Sequence, residues 1–266
     1  MTFIMAELKT GNAPKHRQAD PKAPGKTLGR HLREWMDALV IAFALAMFIR
    51  TFVAELYKIP TGSMIPTLIG GLIAEWDVNE DGRKDVVAFY PHSNPPVAVF
   101  YKEADGGFSP PEALELDPTT QLAIRRHTKE ENHLVLVNKF AYLFSLPRRG
   151  DIVIFKVPPR IYDRTRPIYI KRCVGLPGEH IAIRDHRLYI NGERVDDPPV
   201  FQRIYYSQFT QHGVFGEEQI PDDEFYVFGD NSRNSLDSRE WGGVKVNNLR
   251  GRAVLRPWPV QKFKFL

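Results

Sequence analysis

Ser63 lies in Ile59-Pro-Thr-Gly-Ser-Met-Ile-Pro-Thr-Leu68, a turn framed by glycine and proline just after an apolar stretch. Lys171 lies far downstream, in Tyr169-Ile-Lys-Arg-Cys-Val-Gly-Leu-Pro-Gly178. A third run, Gly229-Asp-Asn-Ser-Arg-Asn-Ser-Leu-Asp-Ser-Arg239, supplies polar side chains able to orient both. Serine is a weak nucleophile at neutral pH and needs a base within hydrogen-bond reach. Lysine serves as that base only when neutral; an exposed one titrates at about 10.4, and burial lowers that value. Ile168, Tyr169, Ile170, Cys173 and Val174 give Lys171 apolar flanks that suit burial. Along a strand, Lys171 shares its face with Tyr169 and Cys173. Taken alone, a lysine in a strand is usually a solvated edge residue. Its pairing with Ser63 therefore rests on motif order, and the chemistry at stake is attack by Ser63 on a carbonyl.

The elements that must position these residues read mostly as strands. His133–Asn138, Asp151–Val157, Ile168–Val174, His180–Ile183, Arg187–Ile190 and Glu224–Phe228 are short and rich in β-branched or aromatic residues. Turns at Arg149-Gly-Asp151 and Pro177-Gly178 bound them. Asn191-Gly192, between Leu-Tyr-Ile and Glu-Arg-Val, predicts a type I′ hairpin. Long helical periods are scarce past residue 55. A membrane β-barrel is disfavoured by the uneven strands and by the apolar segment near the N-terminus. The expected body is mainly β, an antiparallel catalytic domain.

The 266 residues hold one large or two small domains. A net charge of +4 is too diffuse for nucleic acid, and no basic motif with interleaved aromatics is present. The single cysteine, Cys173, excludes an intrachain disulfide framework and a zinc site built on several cysteines. It reads as a small buried hydrophobe. Near the N-terminus, Lys9, Lys15, Arg17, Lys22, Lys26, Arg30 and Arg33 outnumber the acids, and Ala38–Ile49 is then continuously apolar. Thr51–Ala54 extends it past Arg50, to the lower limit of about 17 residues for a membrane span. Arg50 is tolerable near one end, where its side chain reaches the interface. A cleaved signal peptide carries a much shorter basic region than this one. A buried core helix stays open, because the apolar stretch is short. The favoured reading is an uncleaved anchor over 37–55, with the basic tail of 1–36 cytoplasmic and everything beyond on the other face.

Asp77-Val-Asn-Glu-Asp-Gly-Arg-Lys-Asp85 places oxygen side chains at alternate positions with glycine sixth. Asp77, Asn79, Asp81, the Arg83 carbonyl and Asp85 form a candidate calcium set. The twelfth position holds Ala88, so the loop is not an EF-hand. With Val86–Tyr90 and Ala104–Pro111 it resembles one calcium-loop repeat of integrin-type propellers. A solvated acidic turn is the competing reading.

IPTGSMIPTL, RRGDIVIFKVP, YIKRCVGLPGE and GDN…NSLDSREWG, in that order, resemble the successive motifs of bacterial type I signal peptidase, the leader peptidase family with a Ser–Lys dyad. The match spans the anchor, 56–69, about 133–195 and about 222–258. The resemblance implies a catalytic domain over 56–266 outside the cytoplasm, on the bacterial cytoplasmic membrane, with insertions at about 70–132 and about 196–222. It implies Ser63 as nucleophile and Lys171 as general base. Thr61 would supply an oxyanion hydroxyl beside the Ser63 backbone N–H, Ser235 would orient the lysine, and Asp237 with Arg239 would brace the site. Ile59, Met64, Leu68, Tyr169 and Ile170 would surround two shallow substrate pockets, with plain core packing as the alternative. Trp258 is a candidate for an apolar skirt against lipid. Expected partners are signal peptides of preproteins, cut after small residues in an Ala-x-Ala pattern, and the bilayer. No cofactor is expected for catalysis. Two departures stand out: Ser232 and Arg233 replace the usual Arg-Asp pair, and His133 stands where relatives commonly carry Asp. His133 reads as structural. A self-cleaving Ser–Lys repressor domain would need a DNA-binding segment and no anchor. From another class, the alternative is a membrane-tethered calcium-binding module with a decayed protease core.

Overall fold

The computed structural model describes residues 28–91, 93, 95–159 and 167–266. Most of the expected basic tail, residues 1–27, lies outside the described residues. The chain divides into two compact units, Met1–Met47 and Phe48–Leu266. Helix α1 (Leu28–Phe48) dominates the described part of the first. The stretch Gly29–Val53, 25 residues, is long and apolar enough to cross a membrane, and it contains an 18-residue window of mean hydropathy 2.0, none of it buried. The helical span thus begins well before the apolar run read from the sequence, taking in Trp35 and Met36.

The second unit is built on antiparallel strands. They are, in chain order, β1 (Ala54–Lys58), β2 (Gly70–Trp76), β3 (Asp85–Phe89), β4 (Val97–Phe100) and β5 (Glu112–Leu114). Helix α2 (Pro118–His127) precedes β6 (Lys129–Asn132) and β7 (Leu134–Asn138). Then come β8 (Ile152–Lys156), β9 (Ile168–Gly175), β10 (His180–Arg184), β11 (Arg187–Ile190) and β12 (Glu193–Arg194). Short α3 (Val200–Arg203), β13 (Phe209–Thr210), β14 (Gly213–Val214), β15 (Glu218–Gln219) and β16 (Glu224–Phe228) follow. Last are α4 (Ser238–Trp241), β17 (Val244–Lys245), β18 (Leu249–Trp258) and β19 (Lys264–Phe265). The main sheet runs β1-β7-β18-β8-β9-β16-β17, with β19 on β18. A second sheet, β5-β4-β3-β2-β6, uses only residues between the nucleophile loop and β7.

All six strands read from the sequence are present. Asn191 and Gly192 have φ of 51° and 84°, the two positive values a type I′ turn requires, and they join β11 to β12. Asp185 and His186, with φ of 46° and 61°, make the same kind of turn between β10 and β11. Helix α2 starts where Asp117 accepts the N–H groups of Thr119 and Thr120, with Pro118 as its first residue.

Burial explains how the sheets support the loop between β1 and β2. Met64, Leu68 and Ile59 pack with Val137, Ile152 and Ile170 of the main sheet. Ile65 and Ile69 turn the other way, onto Ile73, Val86, Ala88 and Phe100 of the second sheet. Each fully buried aliphatic side chain contributes about 1.5–3 kcal/mol. The loop is therefore clamped from both sides. The opposite face of β3, Val87 and Phe89, packs with Leu114 and with Ile124 of α2.

Candidate active site

Ser63 occupies a 3-10 turn, Gly62–Met64, with all three residues buried. Backbone N–H groups at the start of such a turn have no acceptor within it, which leaves them free to meet a ligand. Lys171 lies at the centre of β9, registered against Val153 of β8. Its Nζ and Ser63 Oγ are 2.6 Å apart, although 108 residues separate them in sequence. Lys171 is only 4% exposed. Burial pulls its pKa down to about 8; Asp237 and Asp230 act against that shift and Arg239 adds to it. An amine that is partly neutral at physiological pH, in hydrogen-bond contact with a serine hydroxyl, can take the hydroxyl proton. The Tyr169 ring lies 5.6 Å from the same nitrogen. Cys173, on the same face of β9, is fully buried, and burial raises its thiol pKa.

The 229–239 run forms the floor. Asp237 Oδ1 and Oδ2 accept from Arg239 Nε and Nη2, both at 2.8 Å, and Oδ2 also accepts from Gly229 N at 2.9 Å. Arg239 further donates to Ser232 Oγ and to the carbonyls of Ser207 and Ser232. Ser232 Oγ in turn accepts from Ser207 N. Ser232, one of the two sequence departures, thus ties the 205–209 segment to the buried pair. The other, Arg233, places its guanidinium 5.4 Å from the Tyr205 ring. Ser235 Oγ is buried and has no hydrogen-bond partner among the described residues, so the hydroxyl expected to orient Lys171 is not bonded to it. A Cβ on Gly229 would sit 2.5 Å from the Ser63 carbonyl oxygen and would also meet Ser235 Oγ. Gly229→Ala is expected to lower kcat on the order of 10²-fold by displacing the serine, with about 1–3 kcal/mol of overpacking cost. Steady-state kinetics and thermal melts of the variant check both figures.

A cleft of about 1050 Å³ opens over Ser63 and Lys171. Its walls are the extended segments Tyr57–Thr61 and Pro167–Ile170, with Phe89–Pro91 and Phe209–Gln211 further out. Thr61, Ile59, Tyr169 and Ile170 line it. Met64 and Leu68 do not: both are 0% exposed, in the core beneath the serine. Turning the serine toward the cleft points its apolar neighbours inward.

Sequence reasoning did not single out three groups here. Arg172, on the opposite face of β9 from Lys171, makes a buried two-bond pair with Asp230 at 2.8 and 2.7 Å. Asn231 donates its backbone N–H to the Ser63 carbonyl at 3.0 Å. Tyr90 reaches Asn231 from the second sheet. An arginine inside an apolar strand was the available signal for the first, since a buried charge needs a partner.

His133 is structural, as expected. It is fully buried; its Nδ1 accepts from Ile69 N at 3.0 Å, which fixes the neutral tautomer with the proton on Nε2, facing Glu131. Burial, aided by Arg256, lowers its pKa to about 4.

The calcium expectation finds no support in the structure. Asp77 spends its oxygens on the N–H groups of Asp81 and Gly82, and Asp85 spends its own on those of Val78 and Lys102. Asp81 is held by the Arg83 guanidinium and the Asn79 amide. Among the described residues no group of three or more His, Cys, Asp or Glu side chains is placed to hold a metal ion. The alternating oxygens cap backbone N–H groups of a tight β2–β3 turn.

Comparison with known proteins bears on this geometry. A family model described as signal peptidase, peptidase S26, matches residues 32–103 and 124–258. A signal peptidase I of Leptolyngbya laminosa is 30% identical over 253 residues, covering 94% of this chain and 91% of its own. A signal peptidase I of Bacillus caldolyticus is 37% identical over 145 residues, 52% of this chain and 76% of its own. A probable signal peptidase I-2 of a Synechocystis species is 26% identical over 268 residues, 98% of this chain and 86% of its own.

Proposed function

This chain belongs to the signal peptidase family, peptidase S26, and we propose that it removes signal peptides with a Ser63–Lys171 dyad while anchored by its N-terminal helix. The single observation that carries the dyad is the 2.6 Å approach of Lys171 Nζ to Ser63 Oγ in a buried setting. Neutral Lys171 removes the Ser63 proton as Oγ attacks the scissile carbonyl. The Ser63 N–H and the Thr61 hydroxyl donate to the oxyanion, each worth on the order of 3 kcal/mol. Lys171 then passes the proton to the departing amine. It next deprotonates a water, which releases the signal peptide from the serine ester.

Substrate lies extended between Tyr57–Thr61 and Pro167–Ile170, in the manner of a strand added to an edge. Ile59, Tyr169 and Ile170 narrow that channel and support a preference for small residues in an Ala-x-Ala pattern. Gly29–Val53 serves as a single membrane span, the basic N-terminal side lying in the cytoplasm and the active site on the opposite face. The exposed Trp258, Phe263 and Phe265 of the β18–β19 end support contact with lipid.

The test is cleavage of a preprotein with an Ala-x-Ala site by detergent-solubilised wild type and by Ser63→Ala. Wild type is expected to cut at that site and the variant to leave it intact. Equal cleavage by both, or cleavage elsewhere, would overturn the assignment.

A further inference from the structure

From the end of β3, Tyr90 reaches into the site. Tyr90 follows β3 and is fixed by its own turn, its N–H on the Pro96 carbonyl at 2.7 Å and its carbonyl on Ser93 N at 3.0 Å. Its ring abuts the residue before the serine: a Cβ on Gly62 would sit 2.7 Å from Tyr90 Cε1 and 3.1 Å from its hydroxyl. That hydroxyl accepts from Asn231 Nδ2 at 2.6 Å. The same amide donates to the Gly62 carbonyl at 3.0 Å, while the Asn231 backbone N–H holds the Ser63 carbonyl. Asn231 therefore fixes both peptide carbonyls that flank the nucleophile. An asparagine side-chain torsion is broad by itself, so an extra partner decides where its amide points. Tyr90 is that partner, and burial keeps its hydroxyl protonated by raising the pKa.

We propose that Tyr90 is a positioning residue for the reaction: through Asn231 it holds the Gly62–Ser63 turn in register with Lys171. The second sheet thereby completes the active site of the main sheet. The inference rests on the Ser63–Lys171 reading. It differs from plain packing, because the ring could fill the space beside Gly62 without its hydroxyl. It differs from substrate binding, because the hydroxyl acts on the enzyme and not on the peptide.

The full-length protein in detergent, assayed on an Ala-x-Ala preprotein, separates these roles. Tyr90→Phe keeps the ring and removes the oxygen. It is expected to lower kcat on the order of 10-fold, with KM and melting temperature close to wild type. Asn231→Ala is expected to lower kcat at least as far. The double variant should be no slower than Asn231→Ala alone, since one residue works through the other. An undiminished kcat in Tyr90→Phe overturns the proposal, as does a rise in KM alone or additive losses in the double variant. No cleavage by wild type overturns the protease reading and this inference together. Cleavage by wild type with an unchanged Tyr90→Phe overturns only the inference.

Discussion

Lys171→Met is expected to lower preprotein cleavage by about 10⁴–10⁶-fold while leaving the protein folded. The side chains are similar in length, and methionine suits the apolar surroundings of β9 without a charge to bury. The loss reflects the missing base, because a serine hydroxyl without one is scarcely nucleophilic. The pH profile of wild-type kcat/KM carries the second half of this expectation. With a pKa of about 8, roughly a tenth of Lys171 is neutral at pH ~7 and roughly nine-tenths at pH ~9. The rate should therefore rise close to tenfold per pH unit below about 8 and level off above it. His133 does not add a second acid limb in that window, since its pKa lies near about 4 and it stays neutral. A profile that is flat from pH 6 to 9, measured on folded enzyme, would remove lysine from the role of base.

Asp237→Ala is expected to be the most damaging change to stability around the site. Both partners of the Asp237–Arg239 pair are almost wholly buried, at 0% and 2% side-chain exposure. Removing one partner of such a pair costs about 3–5 kcal/mol, because the other charge is left without compensation. For a chain of this size that corresponds to a melting temperature lower by roughly 6–20 °C. The Gly229 N–H also loses its acceptor. Arg239→Met in the Asp237→Ala background should recover part of the loss, since no charge then remains unpaired. The pair also sets the base. Asp237 raises the pKa of Lys171 and Arg239 lowers it. Asp237→Ala should thus move the activity midpoint to lower pH, and Arg239→Met alone to higher pH. Thermal melts and pH profiles of the three variants check the energies and both signs.

The site was legible where its residues belong to ordered motifs. Ser63 and Lys171 are 108 residues apart, yet each stands in a run whose types make sense only with the other. Tyr90 was not legible. It ends a strand in a Phe-Tyr-Pro context that any core strand might show, and its partner lies 141 residues away. Met64 and Leu68 were misplaced for a related reason: a short 3-10 turn and the irregular turns after it offer no period from which to tell the inner from the outer face. The acidic loop is ambiguous in sequence because a calcium loop and a hairpin turn draw on the same oxygens, which cap backbone N–H groups in either case. For the six strands read, alternation and turn chemistry sufficed; β18, the ten-residue strand between β7 and β8, was not read, because Arg250, Gly251, Arg252 and Pro257 break its pattern. Asp185–His186 escaped because a positive-φ pair without glycine carries little local signal.

His133 has a consequence for how the chain is assembled. Its carbonyl accepts from Ile59 N, its N–H donates to the Ile69 carbonyl, and its ring accepts from Ile69 N. One residue therefore cinches the neck of the 59–69 loop, a ring whose closure costs about 2 kcal/mol of chain entropy. The excursion from Gly70 to Asn132 departs and returns at that same knot, its first and last residues paired across β2 and β6. Lengthening a loop is inexpensive, about 0.6 kcal/mol for each doubling. The knot is thus a splice point: sequence can be exchanged beyond it while the serine's ring stays shut, with Tyr90 and the packing on Ile65 and Ile69 reporting back on what was spliced.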